Sequence, residues 1–262
     1  TDGNGCSISA SFTISQPTAL TTSITGTAVT CNGAANGAAD LFVAGGTTPY
    51  SYLWSNFAST QDISNLNGGT YFVIVTDANG CTKRDSVIIA EPTGVILSGI
   101  VTNVSCNGTD NGAIDITASG GTPTYTFLWS NGATTDDLTG LAAGVYSLTL
   151  TDGNGCTKSI SFTVTQPSQA IDISLTPTDV TCSGAANGSI TSLVTGGTSP
   201  YTFAWSTGAV TANVSGLSAG NYILSVTDGN GCLAVDSAAV SAPAALVATI
   251  TGTDVSCFGG ND

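Results

Sequence analysis

The sequence predicts an all-β protein built as a tandem array of β-sandwich repeats, each of about 75 residues. Three observations carry this. First, independent markers share one period. Cys31, Cys106, Cys182 and Cys257 each follow a Val-Thr or Val-Ser pair, and Cys6, Cys81, Cys156 and Cys232 each end an Asp-x-Asn-Gly-Cys run. Trp54, Trp129 and Trp205 recur at the same interval. Second, short alternating segments are separated by Gly, Asn, Asp and Pro signals at the interval typical of sandwiches. Third, no segment has the apolar period of an amphipathic helix.

Alignment on the first cysteine gives repeats at 20–94, 95–170 and 171–245. Residues 1–19 read as the C-terminal part of a preceding repeat and 246–262 as the N-terminal part of a following one. The chain is therefore expected to be a window on a longer polypeptide, and its termini are uninformative about targeting.

The second repeat serves to justify each element. Val95 to Cys106 alternates and reads as an opening strand, with apolar residues on both faces. Asn107-Gly108-Thr109-Asp110-Asn111-Gly112 is a turn, because Asn-Gly tolerates positive φ. Gly112 to Ser119 is a second strand with Ile114, Ile116 and Ala118 on one face, and it is broken by Gly120-Gly121-Thr122-Pro123. Tyr125 to Trp129 is a third strand, and Thr135 to Leu141 a short edge strand with Leu138 and Leu141 inward. Tyr146 to Thr151 and Lys158 to Thr165 flank the hairpin turn Asp152-Gly153-Asn154-Gly155, a sequence suited to primed turns. Gln166-Pro167 ends the last strand, as Pro17, Pro92 and Pro243 do elsewhere.

Six or seven strands in such a unit predict an immunoglobulin-like (PKD-like) sandwich. Trp54, Trp129 and Trp205 are its expected core plugs. Tyr71, Tyr146 and Tyr222 open the penultimate strand in the manner of a tyrosine corner. Short linkers containing Pro predict a semi-rigid rod.

Charge narrows the partners. Three basic residues against 17 acidic ones give a net charge of −14, which excludes a nucleic-acid footprint and repels anionic lipid. No apolar run reaches the roughly 18 residues of a membrane span, so no membrane insertion is expected in this window. The chain has no His, which removes the commonest general base, and no enzymatic activity is expected. Asp2, Asp77, Asp152 and Asp228 each open a hairpin turn, where an Asp commonly bonds its own backbone; this outweighs a catalytic reading. Asp77, Asp152 and Asp228 are weak calcium candidates, since calcium requires six or more oxygens and each repeat has few carboxylates. No metal or other cofactor is expected. Zinc is disfavoured because even the nearest cysteines, such as Cys81 and Cys106, lie much farther apart in sequence than paired zinc ligands do. Isopeptide cross-links need a Lys in each repeat, and only Lys83 and Lys158 exist.

Eight cysteines at fixed spacing point to disulfides and an oxidising compartment. Three pairings fit. If the fold is immunoglobulin-like, the opening strand carries Cys106 to one pole of its repeat and the last hairpin holds Cys156 at the other. A domain length then separates them, far beyond the reach of a disulfide, about 7 Å between Cα atoms. Pairing Cys81 with Cys106 is worse. The favoured scheme joins neighbouring repeats, Cys31 to Cys156 and Cys106 to Cys232, with partners for Cys6, Cys81, Cys182 and Cys257 outside the window. The within-repeat pair stays open if the opening strand folds back.

Val-Ser-Cys-Asn-Gly at 104–108, Gly-Gly-Thr-Pro-Thr-Tyr-Thr-Phe-Leu-Trp-Ser at 120–130, Leu-Ala-Ala-Gly-Val-Tyr at 141–146 and Thr-Asp-Gly-Asn-Gly-Cys-Thr at 151–157 together resemble the SprB-type repeat. Such repeats build giant surface adhesins of gliding Bacteroidota. The resemblance implies an extracellular, cell-surface filament exported by the type IX system. Phe57, where other repeats have Gly132 and Gly208, and Ser183, where others have Asn32 and Asn107, depart from the pattern. Asp85-Ser86-Val87 and Asp236-Ser237-Ala238 resemble the O-glycosylation acceptor of that phylum, marking Ser86 and Ser237 as candidates.

Two functions compete. One is the stalk of a secreted adhesin, giving reach and tensile strength, whose partners are the neighbouring repeats of the same chain. The other is a self-assembling filament subunit or glycan-binding array, which would contact surface polysaccharide or substratum through exposed Thr and Ser rows, Phe72 and Ile74.

Overall fold

Regular structure in the computed structural model, which describes residues 1–252 and 258, consists of eighteen β-strands; the described residues contain no helix. The chain divides into two compact units. One comprises Thr1–Gly99, Ile116–Asp136 and Ser147–Ser161; the other comprises Ile100–Asp115, Asp137–Tyr146 and Phe162–Asp262.

The first unit contains the whole first repeat. Its strands are β1 (Thr21–Thr27), β2 (Gly37–Ala44), β3 (Ser51–Trp54), β4 (Ile63–Leu66), β5 (Gly69–Thr76) and β6 (Thr82–Ile89). They form two antiparallel sheets, β1–β2–β4 and β3–β5–β6. The chain changes sheet after β2, β3 and β4, which is the Greek-key connectivity of an immunoglobulin-like sandwich. Strand alternation turns one side of each sheet inward. Ala39 and Leu41 of β2, Ile63 and Leu66 of β4, and Val73 and Val75 of β5 bury together around Trp54. Ile89 of β6 and Val29, just beyond β1, close this core. The side of the sandwich is sealed where β1 runs beside β6. Gly26 lets β1 approach β6 closely in this repeat, since a Cβ would lie 2.8 Å from Val87 Cγ2.

The second unit contains the whole third repeat: β13 (Asp172–Thr178), β14 (Gly188–Thr195), β15 (Thr202–Trp205), β16 (Val214–Leu217), β17 (Gly220–Thr227) and β18 (Leu233–Val240). Its sheets β13–β14–β16 and β15–β17–β18 reproduce the same order and register. Its core gathers Val180, Ile190, Trp205, Leu217, Leu224, Val226 and Val240. Ser192 stands where the first repeat has the buried Leu41 and donates its hydroxyl to Ala212 O at 2.7 Å, while the buried Ile190 stands where the first repeat has Ala39.

The second repeat supplies β7 (Ile96–Thr102), β8 (Gly112–Ser119), β9 (Thr126–Trp129), β10 (Leu138–Leu141), β11 (Gly144–Thr151) and β12 (Thr157–Val164). These form the sheets β7–β8–β10 and β9–β11–β12. Six strands per repeat is the lower of the two expected counts. The opening strand is shorter than expected and stops at Thr102. Val104 N–H then donates to Thr165 O at 2.9 Å, and Asn111 brackets Ser105, accepting from its N–H at 3.0 Å and donating to its hydroxyl at 2.6 Å. Cys106 therefore sits on a side-chain-braced turn rather than on a strand.

Each Trp is almost wholly buried, and its indole N–H donates to a main-chain carbonyl: Trp54 to Thr60, Trp129 to Thr135 and Trp205 to Thr211, at 2.9–3.0 Å. Each corner Tyr donates its hydroxyl to the carbonyl four residues upstream: Tyr71 to Asn67, Tyr146 to Ala142 and Tyr222 to Ser218, at 3.2, 3.0 and 2.9 Å.

Candidate functional site at the repeat junctions

The only covalent links outside the main chain among the described residues lie where one repeat meets the next, one junction in each unit. Each is assembled from two parts. The presenting part is the hairpin between the last two strands of a repeat, Asp-x-Asn-Gly-Cys. The receiving part is the turn after the opening strand of the preceding repeat, Val-Thr/Ser-Cys.

The hairpin is shaped by its Asp. In the second repeat Asp152 Oδ1 accepts from the N–H groups of Asn154 at 3.0 Å and Cys156 at 2.8 Å, while Oδ2 accepts from Thr122 N–H at 2.8 Å. Asp77 does the same for Asn79, Cys81 and Thr47, and Asp228 for Asn230, Cys232 and Thr198. One carboxylate thus ties its own hairpin to the Gly-Gly-Thr turn that precedes the third strand. These are buried acids, between 5% and 6% exposed, without a cationic partner. The Thr122 amide, joined by those of Cys156 and Asn154, outweighs burial and holds the Asp152 carboxyl below the usual carboxylate range. For Asp77 and Asp228 burial is the largest single influence and pushes upward, but the three or more donors together still lower both. The second glycine of the turn must be Gly: Gly121 has φ +62°, and a Cβ there would lie 2.6 Å from Asp152 Oδ2 and 2.7 Å from Val95 Cγ2.

The receiving turn is braced equally. Asn36 accepts from Thr30 N–H at 3.1 Å and donates to its hydroxyl at 2.7 Å, and Ala34 N–H closes onto Cys31 O at 3.0 Å. The linker is tied to this turn. Asn32 donates to Pro92 O at 3.2 Å and Asn107 to Pro167 O at 2.8 Å. The side chains of Glu91 and Gln166 accept from the N–H groups of Gly33 and Gly108, respectively.

The two parts meet through one hydrogen bond and one disulfide. In the first unit Asn154 Nδ2 donates to Thr30 O at 3.1 Å, and Cys31 is bonded to Cys156 with Cα atoms 5.7 Å apart. In the second, Asn230 Nδ2 donates to Ser105 O at 3.0 Å, and Cys106 is bonded to Cys232 at 5.6 Å. Cys6, Cys81 and Cys182 are free and exposed; Cys257 lies outside the described residues. Sequence reading singled out the cysteines and the Asp. It missed the Asn two positions before each hairpin Cys and the Asn32/Glu91 linker ties. The constancy of Asn4, Asn79, Asn154 and Asn230 in the repeated run was the available signal.

No group of three or more His, Cys, Asp or Glu side chains able to hold a metal occurs among the described residues. Ser86 and Ser237 lie on the exposed faces of β6 and β18, each after an Asp whose carboxylate accepts the Ser N–H at 2.8 Å. No helix of the described residues is long and apolar enough to cross a membrane.

The family model described as "SprB repeat" matches residues 23–59, 98–134 and 174–210, one segment in each repeat. The SprB-type pattern thus recurs at three positions in the chain. Each matched segment runs from the opening strand through the receiving turn to just past the Trp, so the cysteine turn and the Gly-Gly-Thr turn both fall within the matched residues. No curated protein matches the chain. Among solved structures, a Down syndrome cell adhesion molecule fragment of eight Ig domains aligns at 12% identity and a TM-score of 0.39. That alignment covers 74% of this chain and 33% of the fragment, so the chain spans about a third of its length. Extracellular domains 3–5 of Drosophila OTK align at 11% identity and a TM-score of 0.29, covering 76% of this chain and 87% of that one. At such scores neither alignment bears on what the chain binds or does. SprB-type repeats joined by disulfides mark an extracellular repeat protein of the adhesin kind.

Proposed function

We propose that the chain is a segment of the stalk of a very long, secreted cell-surface adhesin, which supplies reach and tensile strength for adhesion and, in gliding cells, for motility. In this reading each of the segments 20–94, 95–170 and 171–245 is one structural repeat, export is by the type IX route, and the chain has no catalytic role. The observation that carries it is the placement of the disulfides. Both staple a turn of one repeat to the hairpin of the next, which adds nothing to binding but resists separation of the repeats.

The exposed faces favour the stalk over a glycan-binding array. Equivalent outward positions carry Phe72, Ser147 and Ile223, then Ile74, Thr149 and Ser225. In the second repeat these positions form hydroxyl pairs, Ser147 with Ser161 at 2.8 Å and Thr149 with Ser159 at 3.0 Å; in the first, Phe72 stands opposite Ser86 and Ile74 opposite Arg84. A shared ligand site would keep one chemistry across repeats.

Disulfide mapping by mass spectrometry on non-reduced protein tests the reading. Peptides linking Cys31 to Cys156 and Cys106 to Cys232 are expected. Finding Cys31 with Cys81, Cys106 with Cys156 and Cys182 with Cys232 would replace the stapled stalk with independently bridged beads.

A further inference from the structure

The two closed junctions share one plan but open differently to solvent. Beside each disulfide the linker and the hairpin bound a cleft, of about 400 Å³ at Cys31–Cys156 and about 270 Å³ at Cys106–Cys232. All four cysteines are half-buried and line their cleft. The walls differ where the chain leaves the hairpin. Thr157 and Lys158 follow Cys156, whereas Leu233 and Ala234 follow Cys232. On the linker side the first cleft has Gly94 and the second Ala170. The first cleft is thus wider and holds a cation, and the second is narrower and apolar at the same place.

The acids of the junction do not cancel this difference. Asp152 and Asp228 line their clefts alike, and each carboxylate is engaged by three main-chain N–H groups. Glu91 accepts from Gly33 N–H where the second junction has Gln166 on Gly108, and it does not line the cleft.

A disulfide is opened by a thiolate that attacks one sulfur and expels the other. A small thiol bearing carboxylates is anionic, so Lys158 draws it toward the first disulfide, and nothing equivalent does so at the second. Lys158 lies two residues beyond Cys156, the spacing of side chains that share a face in an extended chain. The incoming sulfur is therefore placed beside Cys156. Cys156 Sγ also lies 3.4 Å from Thr30 O, a carbonyl that disfavours negative charge on that sulfur, so Cys31 is the better leaving group.

We propose that the Cys31–Cys156 junction is a thiol-exchange site for small acidic thiols, and that it opens before Cys106–Cys232. The first thiolate bonds to Cys156 Sγ as the Cys31–Cys156 bond breaks, and Cys31 leaves as a thiolate that is then protonated. A second thiolate attacks the small-molecule sulfur of the mixed disulfide and expels Cys156, which is protonated in turn. Two small thiols are oxidised to one small disulfide, and one protein disulfide is reduced to two thiols; the two protons lost by the former are gained by the latter. The hydrogen bond from Asn154 to Thr30 O involves no sulfur and keeps the two halves in register for re-oxidation. Opening this junction alone lengthens the shortest covalent path from Cys31 to Cys232 by about 25 residues, or about 85 Å at full stretch. The proposal rests on the junction disulfides that carry the stalk reading.

The test uses the whole chain, with its free thiols first blocked by iodoacetamide without reductant. Peptide mapping at this stage checks both links, and their absence would sink the stalk reading together with this one. Glutathione, mercaptoethanol and cysteamine are then added in separate runs, and new thiols are trapped with N-ethylmaleimide at short times. The two disulfides compete within one molecule, so their rate ratio cancels the reactivity of the thiol itself. With glutathione, Cys31–Cys156 is expected to open several-fold faster than Cys106–Cys232. The ratio should fall with neutral mercaptoethanol, fall further with cationic cysteamine, and fall for glutathione at high salt. Lys158→Ala should remove the advantage of glutathione, Ala234→Lys should confer it on Cys106–Cys232, and the trapped mixed disulfide should carry glutathione on Cys156. With both links present, four results would each overturn this proposal and leave the stalk reading intact: equal rates at the two junctions, faster opening of Cys106–Cys232, a glutathione ratio unchanged by Lys158→Ala, or glutathione trapped on Cys31. Rates independent of thiol concentration would overturn it too, since unfolding would then be what admits the thiol.

Discussion

At the scale of single residues, the carboxylates of Asp77, Asp152 and Asp228 hold the presenting hairpins in shape without any cation. Each is ionised and three-fold hydrogen-bonded in the folded state, with its pKa lowered. An unfolded Asp titrates near pH 4. Folding therefore favours the deprotonated form. The resulting stability is fully present above the unfolded pKa and is lost as pH falls through the lowered folded pKa. The melting temperature is expected to be flat from neutral pH down to about pH 5 and to fall steeply below pH 4. The triple variant Asp77→Asn, Asp152→Asn, Asp228→Asn should melt lower at pH 7 and lose most of the acid dependence; an unchanged acid limb would place that dependence elsewhere. Gly121 tests the same contact from the other side. Gly121→Ala forces an L-residue to φ +62° and drives a methyl into Asp152 and Val95. The left-handed backbone alone costs about 1–2 kcal/mol, so calorimetry should record a loss of at least that size.

At the scale of elements, the Trp on the third strand organises each sandwich. Trp54 is 1% exposed and lies among Leu41, Val73, Val75 and Ile89. Trp54→Ala is expected to cost about 3–5 kcal/mol, enough to unfold the first repeat selectively, while Trp54→Phe keeps most of the apolar burial and leaves Thr60 O without its donor. Strand positions were largely legible in the sequence, because an alternating apolar set and an Asn-Gly or Asp-Gly turn state both face and boundary. Gly112–Ser119 matches the expected segment end to end. The opening strand was over-extended in the reading. Alternation through Val104 looks like continued strand, whereas the chain leaves the sheet at Thr102 because Asn111 captures the main chain of Ser105. Such side-chain brackets have no periodic signature. The linker ties are equally hard to read. Asn32 with Glu91 recurs one repeat later as Asn107 with Gln166, but the two partners of each tie stand near opposite ends of their repeat. Ser183 and Ala242 occupy the corresponding positions of the third repeat, and neither tie forms there among the described residues.

At the scale of the whole molecule, the two disulfide-closed loops overlap. Cys31–Cys156 spans 125 residues and Cys106–Cys232 spans 126, and the stretch 106–156 belongs to both. A single backbone cut anywhere between Cys31 and Cys232 therefore leaves the two pieces covalently joined, so limited proteolysis should yield fragments that separate only after reduction. The same overlap limits extension. In the reduced chain the path from Cys31 to Cys232 is the whole main chain between them, about 200 residues and about 680 Å at full stretch. With both disulfides closed, the shortest covalent path runs from Cys31 across to Cys156, back along the chain to Cys106 and across to Cys232. Under load that middle stretch, which carries β8 to β11, becomes taut while the flanking stretches 32–105 and 157–231 stay slack. The taut stretch is about 50 residues, or about 170 Å at ~3.4 Å per residue. Single-molecule pulling from the two termini should therefore give a final contour length about 500 Å shorter without reductant than with it. The difference does not depend on the folded end-to-end distance, since it compares two fully stretched states. Equal contour lengths in the two conditions would mean that no disulfide closes within the chain, and the chain would then yield one repeat at a time like any series of unlinked domains.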